Sequence, residues 1–247
     1  MPSPRCVSTR PTPRRDVTPD LPGDARMLVA GQVASCLGEP RASLDILDAG
    51  CGTGRNLIEY GGLGDAVGIE PSPDAIAFCA ERGLTAIRSG VEELPFEDDR
   101  FDLVLMLDVL EHIADDGAAL RELRRVTRPG GALVLTVPAH QYLWSQHDET
   151  HHHFRRYTQP LLRERLELSS WRPAFTTYFN TALLPPIAAM RLIARRLGAG
   201  AQSNDYEVTS DGVSRVLAGI MTAEAGLIRR GVRFPTGVSI GAVCHPR

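Results

Sequence analysis

Residues 140–157 hold five of the seven histidines of this 247-residue chain, interleaved with Asp148, Glu149, Arg155, Arg156, Trp144 and Tyr157. Imidazole titrates near neutrality, so a histidine oriented by a carboxylate can take the proton of a hydroxyl as that hydroxyl attacks. His147 or His153 is the candidate base, with Asp148 the candidate orienting acid. Trp144, Arg155, Arg156 and Tyr157, with Tyr178 further on, are candidates for holding an acceptor. A guanidinium fork suits a carboxylate or phosphate on it. Blander uses of the same residues stay open: a surface loop packed down by Trp144 and Tyr157, or ion pairs of the arginines with Asp148 or Glu149. A metal held by His147, Asp148 and two of His151, His152 and His153 would match imidazole–carboxylate chemistry. It is disfavoured because consecutive histidines point different ways, and no metal is expected.

A second constellation lies upstream. Residues 44–54 read as a buried strand running into a glycine turn that opens a helix, with spacing G-x-G-x-G at Gly50, Gly52 and Gly54. Arg55 stands where a dinucleotide fingerprint places its third glycine. Asp48 at the strand tip would repel a pyrophosphate, which prefers bare amides and a helix N-terminus. The turn therefore suits a nucleoside with a positively charged tail. Glu70, followed by Pro71, lies about twenty residues past the turn, where a carboxylate can accept two hydrogen bonds from a ribose diol.

Two further stretches follow the same rhythm: 89–96 (SGVEELPF) and 107–112 (LDVLEH), the latter behind an apolar strand whose carboxyl edge is where open α/β sheets bind ligands. Over 44–157 the chain resembles class I S-adenosylmethionine-dependent methyltransferases. The H-D-x4-H-x-R-R-Y pattern at His147, Asp148, His153, Arg155, Arg156 and Tyr157 is similar to a subset of them. The resemblance implies S-adenosylmethionine as cofactor, its ammonium at Asp48, its ribose at Glu70, and its methionine part beside Leu107 and Asp108 with His112 nearby. The expected cofactor contacts are Asp48, Gly50, Cys51, Gly52, Gly54, Asn56, Glu70, Pro71, Val91, Glu92, Leu107, Asp108 and His112. Related enzymes often meet adenine with an acid at the position of Gly90. Here glycine leaves that role to the backbone of Val91 and the side chain of Ser89 or Glu92. By its own residue type, His112 reads as a structural histidine.

Composition narrows the partners. The net charge is −3, and all 27 basic residues are arginine. With no lysine, Schiff-base chemistry and a phosphate-loop lysine are excluded. Nothing calls for nucleic acid. Five scattered cysteines without a C-x-x-C argue against zinc-thiolate and disulfide frameworks and for a reduced, cytoplasmic setting. No signal peptide or membrane-length apolar run is present in the sequence.

These residues need a scaffold. Residues 1–22, rich in Pro, Arg, Ser and Thr, read as a flexible tail, and 23–247 as a single domain. A helix is expected over 24–37. Strands are expected over 44–48, 66–70, 84–88, 101–107, 132–137, 174–179 and 239–244. Helices are expected over 55–60, from Pro73 to about Gly83, over 120–126 and over 158–168. The βαβ alternation predicts an α/β fold: a doubly wound, mostly parallel sheet with right-handed crossovers. The resemblance adds seven strands in the order 3-2-1-4-5-7-6, the last antiparallel.

The final hairpin is split by an insertion, 181–236, with a helix near 213–229. Its apolar stripe (Leu183, Leu184, Ile187, Met190, Leu192, Ile193, Leu197) with Arg191, Arg195 and Arg196 fits a lid over a greasy substrate, a homodimer contact, or peripheral membrane contact through 181–197. The expected function is methylation of a small molecule, at oxygen, with a secondary metabolite of apolar body the best acceptor. Transfer to nitrogen, carbon or a lipid-linked acceptor is the alternative. A non-catalytic nucleoside-binding module is the alternative of another class, and a dinucleotide oxidoreductase is disfavoured by Arg55 and Asp48.

Overall fold

The computed structural model describes residues 43–196 and 211–247; the tail over 1–22, the helix expected over 24–37 and the middle of the insertion lie outside them. The first βαβ unit sets the site. β1 (Leu44–Ala49) is almost wholly buried, runs into the glycine turn and is followed by α1 (Arg55–Tyr60). β2 (Gly64–Ile69) returns parallel to β1, pairing Asp48 with Gly68. α2 (Pro73–Glu81) starts where Ser72 Oγ accepts the Ala75 N–H and Pro73 occupies the first turn, which needs no N–H of its own.

β3 (Ala86–Ile87) is only two residues, shorter than the expected 84–88, and pairs on one side alone, with Gly68 and Ile69 of β2. β4 (Phe101–Leu107) is buried along nearly all its length and apolar except at Asp102, whose carboxylate takes the Asp45 N–H and Arg128, as a strand covered on both faces requires. α3 (Asp116–Val126) begins four residues earlier than the sequence implied: Asp115 caps it, accepting the Ala118 N–H at 2.9 Å. Its inward face (Ala119, Leu120, Leu123, Val126) is fully buried, and each such leucine contributes about 1.5–3 kcal/mol.

β5 (Thr127–Pro138) likewise starts early. The Arg128–Gly131 stretch, ahead of the expected 132–137, is a bulge within the strand: Phe101 pairs with Thr127 but Leu103 with Ala132. After α4 (Gln146–Thr150) and α5 (Gln159–Leu168) come β6 (Trp171–Phe179) and β7 (Ser239–Pro246). The seven strands form one sheet in the order β3-β2-β1-β4-β5-β7-β6, with β7 antiparallel to both its neighbours. This is the expected topology. Trp171, fully buried, donates its indole N–H to the Leu120 carbonyl at 2.9 Å and locks β6 onto α3.

Two helices of the insertion are described, α6 (Leu184–Arg196) and α7 (Asp211–Arg229). Buried Ile228 docks α7 on Phe179, and Glu224 accepts the Thr181 N–H at 3.1 Å. α6 lies against the Gln141–Leu143 turn, at the edge of the histidine loop. Among the described residues, no helix is long and apolar enough to cross a membrane.

Candidate active site

The glycine turn is built by close approach. The N–H groups of Gly50 and Cys51 both donate to the Ile69 carbonyl, at 2.8 and 2.9 Å, folding the turn over the end of β2. Gly50 has φ +84°, and a Cβ there would stand 2.5 Å from Val109 Cγ2, so only glycine fits on both counts. Gly54, also at φ +84°, opens α1.

Asp48 is 1 % exposed. Its Oδ1 accepts from Asn56 Nδ2 at 3.3 Å, while Oδ2 is buried with no partner. Burial drives its pKa up to about 7, Asn56 opposing and the nearby Glu70 charge assisting. A buried carboxylate oxygen left without a donor is expensive unless a ligand supplies one. Glu70 closes the cradle: Oε2 accepts the Gly52 N–H at 3.0 Å and Oε1 the Ser72 N–H at 2.9 Å. Each oxygen keeps a second lone pair for a ligand.

Among the other expected cofactor contacts, Cys51 is buried beside Cys79, and burial pushes its thiol far up, so it stays protonated. The Pro71 carbonyl is taken by Arg88 Nε at 3.2 Å. Val91 turns its side chain into the core, and Glu92 is exposed.

At the carboxyl edge of β4, Leu107 is half-buried and Asp108 adopts φ +54°, unusual for a non-glycine residue. The Asp108 N–H is held by both Thr136 oxygens at 3.1 Å, which fixes that conformation and leaves its side chain exposed. Such strain clusters at functional sites. In the following turn, Leu110–His112, Glu111 is 1 % exposed and its Oε2 has no partner. Burial, then the Asp108 charge, raises its pKa well above the usual carboxylate range. His112 is exposed, stacks edge-on against His153 with centroids 4.5 Å apart, and has its pKa lowered by burial of part of the ring and by His153.

The histidine loop is organised around one carboxylate. Asp148 is 0 % exposed and accepts from Ser145 N and Oγ, His153 Nδ1 at 2.9 Å, and Arg156 Nε and Nη2 at 2.7 and 3.0 Å. Burial alone would raise its pKa, but Arg156, then His153 and the Ser145 N–H, outweigh burial and hold it at about 2. Its expected role of orienting a histidine falls geometrically on His153. His147 instead packs on His151, centroids 4.2 Å apart.

Three expected substrate ligands are engaged within the protein. Arg156, spent on Asp148 and the Ala139 carbonyl, is 8 % exposed. Tyr157 is fully buried and donates its hydroxyl to Asp116 Oδ2 at 3.0 Å. Arg155 pairs with the same Asp116 at 2.8 Å and with the Ala114 carbonyl. All three fasten the loop to α3 and β5, because a buried Asp116 and open backbone carbonyls demand donors there. Trp144 is half-buried beside this loop. Tyr178 is buried, its oxygen accepting the Gln159 N–H at 3.3 Å and its ring stacked at 5.0 Å on His140, which stacks in turn on Tyr142. Glu111 and Asp116 escaped the sequence reading; Glu111 lay in plain view in the LDVLEH string, but its burial did not.

Residues 47–135 match the protein family described as "Methyltransferase domain". The chain is 37 % identical over 121 residues to an uncharacterized methyltransferase of Mycolicibacterium vanbaalenii, covering 47 % of this chain and 48 % of that one. It is 38 % identical over 105 residues to a ubiquinone biosynthesis O-methyltransferase of Azorhizobium caulinodans, covering 40 % and 42 %. The match thus spans less than half the length of these relatives. In fold, it superposes on an S-adenosylmethionine-dependent methyltransferase from Mesorhizobium loti with TM-score 0.59 at 16 % identity, covering 91 % of this chain and 99 % of the other.

Proposed function

We propose that this chain, which carries the class I methyltransferase fold and a methyltransferase domain over 47–135, transfers a methyl group from S-adenosylmethionine to a small molecule, at oxygen. The observation that carries this reading is the partnerless Oδ2 of buried Asp48, beside the turn that Glu70 braces. An amino-acid ammonium supplies the missing donor, and ribose hydroxyls fit the open lone pairs of Glu70. The residues therefore fit the cofactor.

When bound, S-adenosylmethionine supplies a methyl group already activated on a sulfonium. The protein's task is then mainly alignment, worth several kcal/mol, and removal of the acceptor's proton. His153 is suited to that removal: Asp148 holds Nδ1, which leaves Nε2 to accept a proton. α6, lying against the 141–143 turn, supports a lid over an apolar acceptor such as a secondary metabolite. The O-methyltransferase name of one relative favours oxygen over nitrogen or carbon. A lipid-linked acceptor is the second reading, favoured by the exposure of Met190, Leu192 and Ile193 on α6.

Calorimetry with S-adenosylhomocysteine and NAD, plus labelled methyl transfer into a small-molecule extract, tests the proposal. Saturable binding of the former alone, with a labelled product, is expected. Absence of S-adenosylhomocysteine binding overturns it. Binding without transfer to any extract returns the chain to a non-catalytic nucleoside-binding module.

A further inference from the structure

We infer that Glu111, His112 and His153 form a binding site for a divalent transition-metal ion. One ligand atom from each lies within 4.8 Å of the other two. Proximity alone would carry little, but two independent features accompany it. His153 is already oriented through another group, its Nδ1 lying 2.9 Å from Asp148 Oδ1. A second partner of this kind fixes the tautomer and presents the remaining nitrogen, the arrangement that metal-ligating histidines adopt. The third group is a buried carboxylate whose Oε2 finds no donor in the protein, although its own backbone carbonyl is satisfied by the Phe154 N–H at 2.8 Å. That last bond also pins the His153 segment against the Glu111 turn.

The chemistry of the set selects the ion. Two imidazoles and one carboxylate suit zinc, cobalt or iron(II) better than magnesium or calcium, which take oxygen ligands. Bonds of about 2.0–2.2 Å hold neighbouring ligand atoms roughly 3–3.5 Å apart, so the three ligands must close slightly on the ion, His112 being the exposed member of the set. Asp108, near enough to act electrostatically on Glu111, adds a further negative charge beside the ion. Three protein ligands leave a coordination position open. Of the histidine run, only His153 joins; the other ligands come from the turn after β4, so the objection that consecutive histidines diverge does not apply.

The site does not depend on methyl transfer. Should both hold, the ion takes the lone pair of His153 Nε2, and acidifying the acceptor hydroxyl passes from the imidazole to the metal as Lewis acid.

The test is metal binding by the full chain after chelator treatment. Zinc titrated in a calorimeter, and cobalt followed by its visible absorption, should each saturate at one equivalent with micromolar or tighter Kd. Glu111→Gln and His112→Ala should each weaken zinc at least tenfold, while the double change His151→Ala/His152→Ala, which removes exposed imidazoles but keeps the backbone, should not. Circular dichroism on the same samples reports folding, and S-adenosylhomocysteine affinity of the wild-type chain separates failure of the donor reading from failure of this one. No saturable binding by millimolar zinc overturns the site. So does binding that survives Glu111→Gln and vanishes in the double variant, the mark of adventitious capture by the surface histidines.

Discussion

Arg156 grips Asp148 with two parallel hydrogen bonds, Nε to Oδ1 at 2.7 Å and Nη2 to Oδ2 at 3.0 Å, and both side chains are withdrawn from water. The pair is the anchor of the histidine loop, since the same carboxylate holds Ser145 and His153. Breaking a buried pair from one side strands a charge, which costs about 3–5 kcal/mol. Arg156→Ala should therefore lower Tm by roughly 10 °C for a chain of this size. Arg156→Lys should recover only part of that loss, because an ammonium cannot form the fork. Differential scanning calorimetry of the two variants decides; a Tm within 2 °C of wild type for Arg156→Ala would show the pair to be ornamental, 2 °C corresponding to about 1 kcal/mol or less.

Asp148 also sets an acid limit. Its folded pKa, about 2, lies below the ordinary value of 3.8, so its contribution is complete above about pH 4 and is lost as pH falls through 4 towards 2. The loss should be on the order of 2 kcal/mol, read from urea midpoints between pH 5 and pH 2.5. In Arg156→Ala the chief opposing cation is gone and burial prevails, so the Asp148 carboxyl moves upward and this acid-dependent gain disappears.

Asp48 behaves in the opposite sense. Burial lifts its pKa to about 7, above the unfolded value of 3.8; the stability it contributes to the free protein is present below about pH 4 and declines as pH rises to 7. An incoming ammonium requires the ionised form. Affinity for S-adenosylhomocysteine should thus rise between pH 6 and pH 7.5, with proton release visible as a buffer-dependent binding enthalpy. Asp48→Asn should lose roughly 10–100-fold in affinity, as expected for one charge-assisted hydrogen bond, and should lose the pH dependence with it. Equal affinity at pH 6 and 7.5 in the wild type would remove Asp48 from the ammonium site.

Gly50 carries two separable constraints, backbone conformation and space. Gly50→Ala forces an alanine into φ +84° and drives its Cβ onto Val109. We expect S-adenosylhomocysteine binding to fall below detection and stability to drop by more than the ~1–2 kcal/mol of left-handed backbone strain alone. Adding Val109→Ala opens the space but leaves the φ, so the double variant should regain stability over Gly50→Ala yet stay weaker than Val109→Ala. Strict additivity of the two changes would mean that Val109 is not what Gly50 makes room for.

The legible parts of this chain are those where local chemistry and tertiary demand coincide. Phe101–Leu107 reads as a strand because a run buried on both faces must be almost wholly apolar, Asp102 being its one exception, and the turn reads from its glycines because close approach tolerates little else. Asp48 was visible as an acid in the wrong place for a pyrophosphate. The direction of Arg156 and Tyr157 was not visible, because it is set by Asp148 and by Asp116, forty-one residues from Tyr157 in sequence. The capping box in which Ser145 and Asp148 bond reciprocally was readable from the S-x-x-D spacing, and it would have marked Asp148 as structural as well as orienting. The bulge at 128–131 is set by pairing with β4, which spacing alone does not reveal.

His153 and His147 make the sharpest functional contrast, because both stand in the same loop and only one has its Nδ1 on Asp148. General base catalysis contributes about 10²–10⁴-fold. With an acceptor in hand from the labelled extract, and with chelator-treated protein, His153→Ala should lower kcat by that order while leaving S-adenosylhomocysteine affinity within threefold of wild type. His147→Ala should keep most of its turnover. A hydroxyl that cannot shed its proton is slow at acid and neutral pH alike but recovers when base is abundant. The His153→Ala deficit should therefore shrink at high pH, and a small external imidazole should restore part of the rate. An unchanged kcat in His153→Ala, or a deficit that neither alkali nor imidazole relieves, would assign proton removal to another group and reduce the Asp148–His153 contact to a loop fastening.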